Sequence, residues 1–406
     1  MSIDRQSPSR LRVLFIPQWY PSADGSDRVT GTFCREHARA ASLYDDVAVL
    51  VFGGRPDRWP TLRWNVVHDD GIPTFYARYG MSPIPKTTRF VFHLQLRRAY
   101  SRVVAQWGSP DVIHTQDEYA YYVMKTLAPF RIPFVISQHW SGFMERLVDR
   151  AALRRFRWSF EHTARVLPAN RFAEDDYAHY GLRPPVSWLP NALDTAVFAP
   201  PDRQARKPFV LHVSGFTPEK RFPDILAAFA LVRQQVPDAS LQVVGNGPKR
   251  VEMEGLASRL LPAGAVHFHG QLDKARLANM MREARGLAMA SNAETFGCVL
   301  MEAMACGCPV LTTRVGGIPA VVRDGDGIFV DVGDIPQIAA GMERLLKGTH
   351  GLNTERISRE TRARFSHATI GQLLHDEHVL AVKGKIGAQH SRKAAGEAHL
   401  VDRGML

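Results

Sequence analysis

The chain holds 406 residues, 45% of them hydrophobic and 22% charged, with a formal net charge of +11. That length suits two domains of about 150–200 residues better than one core, and the balance excludes a disordered or fibrous protein. No stretch of about 18 uncharged apolar residues is present, which excludes a bilayer-spanning helix, and the positive surplus asks for a polyanionic partner: nucleic acid, a nucleotide diphosphate or anionic lipid.

Residues 1–10 lack the apolar core of a signal peptide and lead into residues 12–16, an apolar run bounded by Pro17 and predicted to be a buried strand. A loop with Asp24-Gly25 and Gly31 follows, then a helix over 32–41 and a strand over 47–52. Between 90 and 104, Phe92, Leu96, Ala99 and Val103 make an apolar helical stripe. Arg89, His93 and Arg97 fall on a different face, with Arg98 and Arg102 close by. Short strands are predicted at 111–114, 133–137 and 164–168, the second running into His139. A second basic helix, 150–160, sets Arg150, Arg154 and Arg157 opposite Leu153, Phe156 and Phe160. The two helices together suggest an anionic membrane surface or a lipid-diphosphate acceptor.

A Pro-rich polar stretch, 200–208, marks a domain boundary. The pattern then restarts with a strand at 209–213 and a helix with Ile225, Phe229, Val232 and Val236 on one face. Further strands are expected at 241–244, 266–269, 287–290, 309–312 and 328–330. Each connection is too long for a hairpin, so both halves read as mostly parallel, doubly wound α/β sheets. The expected domains are 11–200 and 208–375, facing across a cleft, and a Lys/Arg/His/Ala/Gly tail over 384–406 is expected to be disordered.

The stretch 291–305 is the most informative. A short strand passes through a tight loop into a helix, and Glu294 and Glu302 bracket its apolar start. Phe296-Gly297 stands where the helix begins, so its unpaired N–H groups and positive dipole end can hold a phosphate. Glu294 lies at the carboxyl end of a strand, where open parallel sheets bind ligands. Cys34, Cys298, Cys306 and Cys308 are too few for a disulfide framework and lack finger spacing, which points to packing residues in a reducing cytoplasm. Asp324-Gly-Asp326 reads as a turn before a strand and not as a metal site.

The order Glu294-x7-Glu302, Phe296-Gly297, Gly307-x-Pro-Val and Gly316-Gly317 resembles the signature of retaining glycosyltransferases of family 4, which have the GT-B fold. The resemblance implies that Glu294 faces the donor sugar, that the loop amides of Thr295, Phe296, Gly297 and Cys298 hold the diphosphate, and that Glu302 binds the ribose hydroxyls. It also implies that Lys220 neutralises the leaving diphosphate and that His139 lies near the sugar and the acceptor, making Glu294, His139 and Lys220 the catalytic set. Gly31 would lie near the diphosphate, and Gly245, Asn246 and Gly247 beside the base. Gly215 stands where the family often has Arg, with Arg221 or another basic residue not yet placed as the substitute, and Ala320 stands where it commonly has Glu.

The implied activity is transfer of a sugar from a nucleotide-diphosphate donor to a hydroxyl of a glycan, glycolipid or small molecule, with retention and without a metal or other cofactor. Polysaccharide or glycoconjugate synthesis is the implied setting. Arg97, Arg98 and Arg102 would face the acceptor or an anionic membrane, placing the protein in the cytoplasm or on the inner face of the cell membrane. A nucleotide-sugar epimerase of the same fold is the rival, disfavoured by Glu-x7-Glu. A nucleic-acid-binding protein would need aromatic-basic surface motifs, which the chain lacks.

Overall fold

A computed structural model describes residues 10–22, 30–55, 61–81, 85–201 and 206–401. The first domain runs β1 (Arg12–Ile16), α1 (Thr32–Ser42), β2 (Asp46–Arg55), β3 (Leu62–Asp69), β4 (Ile72–Gly80), α2 (Pro85–Trp107), β5 (Val112–Gln116), α3 (Tyr119–Leu127), β6 (Phe134–Gln138), α4 (Arg150–His162), β7 (Arg165–Pro168) and α5 (Ala173–His179). The second opens with β8 (Lys207–Val213), α6 (Phe222–Gln235), β9 (Ser240–Val244), α7 (Arg250–Leu260), β10 (Val266–Phe268), α8 (Lys274–Glu283), β11 (Ala284–Met289) and α9 (Cys298–Ala305). It closes with β12 (Val310–Thr313), α10 (Ile318–Val321), β13 (Ile328–Val330), α11 (Ile335–Lys347), α12 (Thr354–Phe365) and α13 (His367–Val401).

The strand orders are β3-β4-β2-β1-β5-β6-β7 and β10-β9-β8-β11-β12-β13. Among the described residues all strand pairings are parallel except β3 with β4, an antiparallel hairpin. Each sheet therefore winds outward in both directions from its first strand, and the order reverses between β1 and β5 and between β8 and β11. Loops leaving the carboxyl ends of those pairs diverge and leave a crevice. The β3–β4 hairpin was not among the expected elements. Its outer strand is mostly exposed, so it lacks the apolar run of a buried strand, while its turn, Asp70-Gly71 with φ of 49° and 82°, carries the ordinary Asp-Gly hairpin chemistry.

Helices cover both faces of each sheet. In α2 the predicted stripe is buried through Leu96, Ala99 and Val103, with Phe92 packed against the same core. In α6, Ile225, Phe229 and Val232 are buried as their spacing demands. The C-terminal helix departs from the expected plan. Ile370, Leu374 and Ala381 of α13 pack into the first domain's core with Val13, Phe15, Val47 and Val49. The boundary expected at 375 therefore cuts through a helix that returns to the first domain.

His375 Nδ1 lies 2.8 Å from Asp45 Oδ1, and His378 Nε2 lies 3.0 Å from His114 Nδ1 on β5. The helical backbone of α13 is described as far as Val401, within the tail for which disorder was expected. Ala, Lys, Arg and Glu in that stretch are good helix formers. Residues 402–406 lie outside the described residues.

Leu374 has no exposed surface. Leu374→Ala is expected to destabilise the protein by about 2–5 kcal/mol, read as a lower urea midpoint at unchanged slope. An unchanged midpoint would show that α13 adds nothing to the first domain's core.

Candidate functional site

Strand order builds the second domain's half of the site. The loop after β8 carries Lys220, and the loop after β11 carries Glu294; the two strands are neighbours. Asn292 N–H donates to the Glu219 carbonyl at 2.9 Å, tying the loops together. Lys220 Nζ lies 2.6 Å from Glu294 Oε2, with the side chains 21% and 16% exposed. Each group is thus partnered yet open to the cleft.

Gly297, with φ of 90°, caps α9. That left-handed turn brings Cys298 to the first helical position, where amide groups lack intrahelical partners. Phe296 is buried, edge-on to Phe365 at 5.7 Å, so its side chain anchors the loop and leaves its backbone at the site. Cys298 Sγ accepts from Asn191 Nδ2 at 3.1 Å, joining α9 to the segment that leaves the first domain. Gly317 N–H donates to the Glu294 carbonyl at 2.9 Å.

The loop over 245–247 leans on the one over 214–215, with Gly247 against the Gly215 carbonyl. Gly215, Gly245, Asn246 and Gly247 therefore form one rim of the site. Arg221 is beside Lys220 in sequence, but its Nε donates to Asp224 Oδ2 at 2.6 Å and its Nη2 reaches toward Gly333. The structure does not bring its guanidinium into the Lys220–Glu294 pair. Asp324 pairs with Arg314 at 2.6 Å and Asp326 with Arg356 at 2.8 Å. Among the described residues no group of three or more His, Cys, Asp or Glu is arranged to hold a metal ion, and all four cysteines are free thiols.

From the first domain, His139 follows β6. Its ring packs at 4.3 Å on Phe33, the second residue of α1, and 5.7 Å from His37. Burial holds its imidazole well below the usual range, so it is neutral, and its Nε2 has no hydrogen-bond partner among the described residues. Gly31 caps α1 with φ of 73° against the backbone of Trp19 and Tyr20. Most of the loop expected to work with it, residues 23–29, lies outside the described residues. Downstream of His139, Met144 Sδ would be 2.6 Å from a Cβ on Gly316, so the two domains touch beside the Glu294 loop.

One interdomain cluster has no counterpart in the sequence reading. Glu36 on α1, 3% exposed, accepts from Lys274 Nζ of α8 at 2.6 Å and lies 2.7 Å from His367 Nε2 and 3.2 Å from Arg39 Nη1. Burial works against its charge, but His367, Lys274 and Arg39 outweigh it and hold its carboxyl down to about 2. Glu302 stands half-buried near the same lysine. Burial pushes its carboxyl up to about 7, with Lys274 opposing and Glu36 adding to the rise. A glutamate inside the Ala-rich buried run of α1 was the available signal.

The basic residues of α2 split between two places. Arg97 lines a groove of about 460 Å³ with Arg89, Phe90, His93, Tyr122 and Lys125. Arg98 and Arg102 are exposed elsewhere on the helix, Arg102 sitting 5.7 Å over Trp64.

A family model described as glycosyl transferases group 1 matches residues 195–369, and one described as glycosyltransferase family 4 matches residues 23–197. N-acetyl-alpha-D-glucosaminyl L-malate synthase of Bacillus anthracis is 30% identical over 260 residues, 60% of this chain and 67% of that protein. A GDP-mannose-dependent alpha-(1-6)-phosphatidylinositol monomannoside mannosyltransferase of Mycolicibacterium smegmatis is 31% identical over 231 residues, 51% of this chain and 59% of that one. Sucrose-phosphate synthase from Thermosynechococcus elongatus superposes with a TM-score of 0.70 at 22% identity, covering 90% of this chain and 98% of its own. Anabaena HepE, solved with UDP-glucose, gives 0.70 at 18%, covering 90% and 99%. At those identities the solved structures speak for the fold.

Gly316, with φ of 49°, has no room for a side chain: a Cβ would overlap the Glu294 carbonyl oxygen. Gly316→Ala is expected to cost about 1–3 kcal/mol and to lower the melting temperature. Met144→Ala in the same chain should not restore it, because the Glu294 backbone still blocks the site. Full stability in Gly316→Ala would show that the two loops are not held together.

Proposed function

The chain belongs to glycosyltransferase family 4, and from that premise we propose that it moves a sugar from a nucleotide-diphosphate donor to a hydroxyl with retention and without a metal. The observation that carries this reading is the Lys220–Glu294 pair at the strand-order reversal, beside the start of α9. In the substrate-free protein Glu294 is the anion that satisfies Lys220. A donor diphosphate takes over that lysine and the free amides of α9, which releases Glu294 to orient the sugar.

As the bond between C1 and the β-phosphate oxygen breaks, the charge left on the diphosphate meets Lys220 and the helix end. The acceptor oxygen bonds to C1 on the same face, and its proton passes to the departing phosphate oxygen. No separate base is needed, in keeping with a neutral His139 whose ring is packed on Phe33. Glu302 accepts from the ribose hydroxyls as a carboxylate; burial opposes that form and nearby Lys274 favours it. Asp324 and Asp326, tied to arginines, take no part in holding the diphosphate. A nucleotide-sugar epimerase is not favoured, since the two curated relatives named above are a synthase and a mannosyltransferase.

A panel of UDP-, GDP- and ADP-sugars, assayed for hydrolysis or transfer with and without EDTA, tests the reading. Turnover should survive EDTA, and Glu294→Gln should reduce it at least about tenfold, a loss of roughly 1.4 kcal/mol of transition-state stabilisation. Product anomers resolved by NMR should keep the donor's configuration. Full activity in Glu294→Gln, or inverted product, would end this assignment.

The acceptor is a glycan or lipid-linked hydroxyl in glycoconjugate or polysaccharide synthesis, and the first domain meets an anionic membrane surface through its basic helices. No helix among the described residues is long and apolar enough to cross a membrane. Exposed Phe90 and Leu94 beside Arg89, Arg97 and Lys125 supply both apolar and cationic contacts. Each Lys or Arg near such a surface contributes about 1 kcal/mol. Co-sedimentation with phosphatidylglycerol vesicles should be reversible and should weaken as the Debye length falls from about 30 Å at 0.01 M salt to about 3 Å at 1 M. Arg97, Arg98 and Arg102 changed together to Ser should reduce it and leave nucleotide affinity unchanged. Equal binding to neutral vesicles, or none to either, would retire the membrane surface as a partner.

A further inference from the structure

Asp117 closes β5 at the strand-order reversal of the first domain, beside β1. It is not a glycine, yet its φ is 45°, a left-handed conformation that costs energy for most side chains. Asp117 is 2% exposed. Oδ1 accepts the N–H groups of His139 and Trp140 at 2.8 and 3.0 Å, while buried Oδ2 has no hydrogen-bond partner among the described residues. Its own N–H donates to the Ser137 carbonyl at 3.0 Å, so Asp117 is bonded to β6 through its backbone and to the turn after β6 through its side chain.

The titratable groups around it are Cys34 on α1, Tyr177 on α5 and His139. Burial pushes the Cys34 thiol and the Tyr177 phenol up, with the Asp117 charge adding to both. His139 is neutral. Burial pushes the Asp117 carboxyl up to about 6 against the two N–H donors that favour its charge. At neutral pH its charge therefore comes at a cost, and among the described residues the backbone amides of His139 and Trp140 hold it.

A purely structural role would be served better by asparagine. Asn adopts the left-handed conformation readily, its carbonyl accepts the same two N–H groups, and it carries no buried charge. We infer that Asp117 is a positioning residue, whose carboxylate fixes the His139–Trp140 turn at the cleft while lowering the stability of the fold. The turn continues through Ser141–Phe143 to Met144, which meets Gly316 beside the Glu294 carbonyl. A shift of the turn thus moves both His139 and the point where the first domain touches the Glu294 loop. The functional part of this inference rests on the transferase reading above.

The sign of the stability effect follows from the direction of the shift. A carboxyl raised on folding contributes stability that is present below its unfolded value and lost as pH rises through its folded value. Asp117→Asn, made in the full chain, should therefore melt above the parent at pH 8, with the gain narrowing below pH 6. The same variant should lose at least tenfold in kcat on a nucleotide sugar, with donor KM within twofold. The acid limb near pH 6 in the parent's kcat profile should be absent from it.

Hydrogen exchange gives a readout that needs no donor chemistry: the amides of His139 and Trp140 should exchange about tenfold faster in Asp117→Asn than in the parent at pH 8. Asp117→Ala, which removes the acceptor and strains the backbone, should lose both stability and activity. A variant Asn chain that melts at or below the parent, exchanges equally at those amides, or keeps its kcat would overturn the inference. A parent that turns over no nucleotide sugar would overturn the transferase reading instead, leaving the melting and exchange results to decide on Asp117.

Discussion

The reversal of strand order in each parallel sheet is the constraint on which the rest of the molecule depends. Parallel crossovers carry the chain outward on both sides of β1 and of β8, so the loops after β1 and β5, and after β8 and β11, flank one crevice in each domain. Gly31 and Asp117 occupy the first pair; Lys220 and Glu294 occupy the second. Lys220 and Glu294 are 74 residues apart in sequence but only 2.6 Å apart in space. Neighbouring strands of equal polarity end together, and no local propensity could make that contact.

Facing the two crevices toward each other needs a joint, and Glu36 forms its centre. A buried carboxylate costs several kcal/mol unless paired, and here Lys274 from the second domain, His367 from the start of α13 and Arg39 from its own helix supply the partners. Its lowered carboxyl contributes stability above the unfolded value near 4.5 that is lost as pH falls toward about 2. The same lysine lies near Glu302, so the contact that joins the domains also acts on the carboxyl of α9.

The return of α13 to the first domain completes this arrangement. Its apolar residues cover one face of the first sheet, and its histidines join a buried polar chain from Asp45 through His378 and His114 to Ser137 at 2.6 Å. Burial holds His114 and His378 below the usual imidazole range, so the chain is mostly neutral. Ser137 precedes the turn that bears His139, so α13 is linked through β5 to the strand that leads into that turn. Sequence distance again says nothing of spatial distance.

The sequence alone determined what depends on periodicity and short spacing. Apolar runs of four to six residues located the parallel strands, the 3.6-residue repeat located the buried faces of α2 and α6, and Glu294-x7-Glu302 with Gly297 marked the loop at the start of α9. The β3–β4 hairpin escaped because its outer strand faces solvent, and α13 escaped as a first-domain helix because nothing local says which core a helix joins. The tertiary structure decided what needs several elements at once. It turned Arg221 toward Asp224, separated Arg97 from Arg102, buried Glu36 among partners from three elements, and placed the buried Asp117 carboxyl behind His139. Local patterns report what a segment can bury, whereas the pairing and ionisation of a polar group depend on what the rest of the chain brings to it.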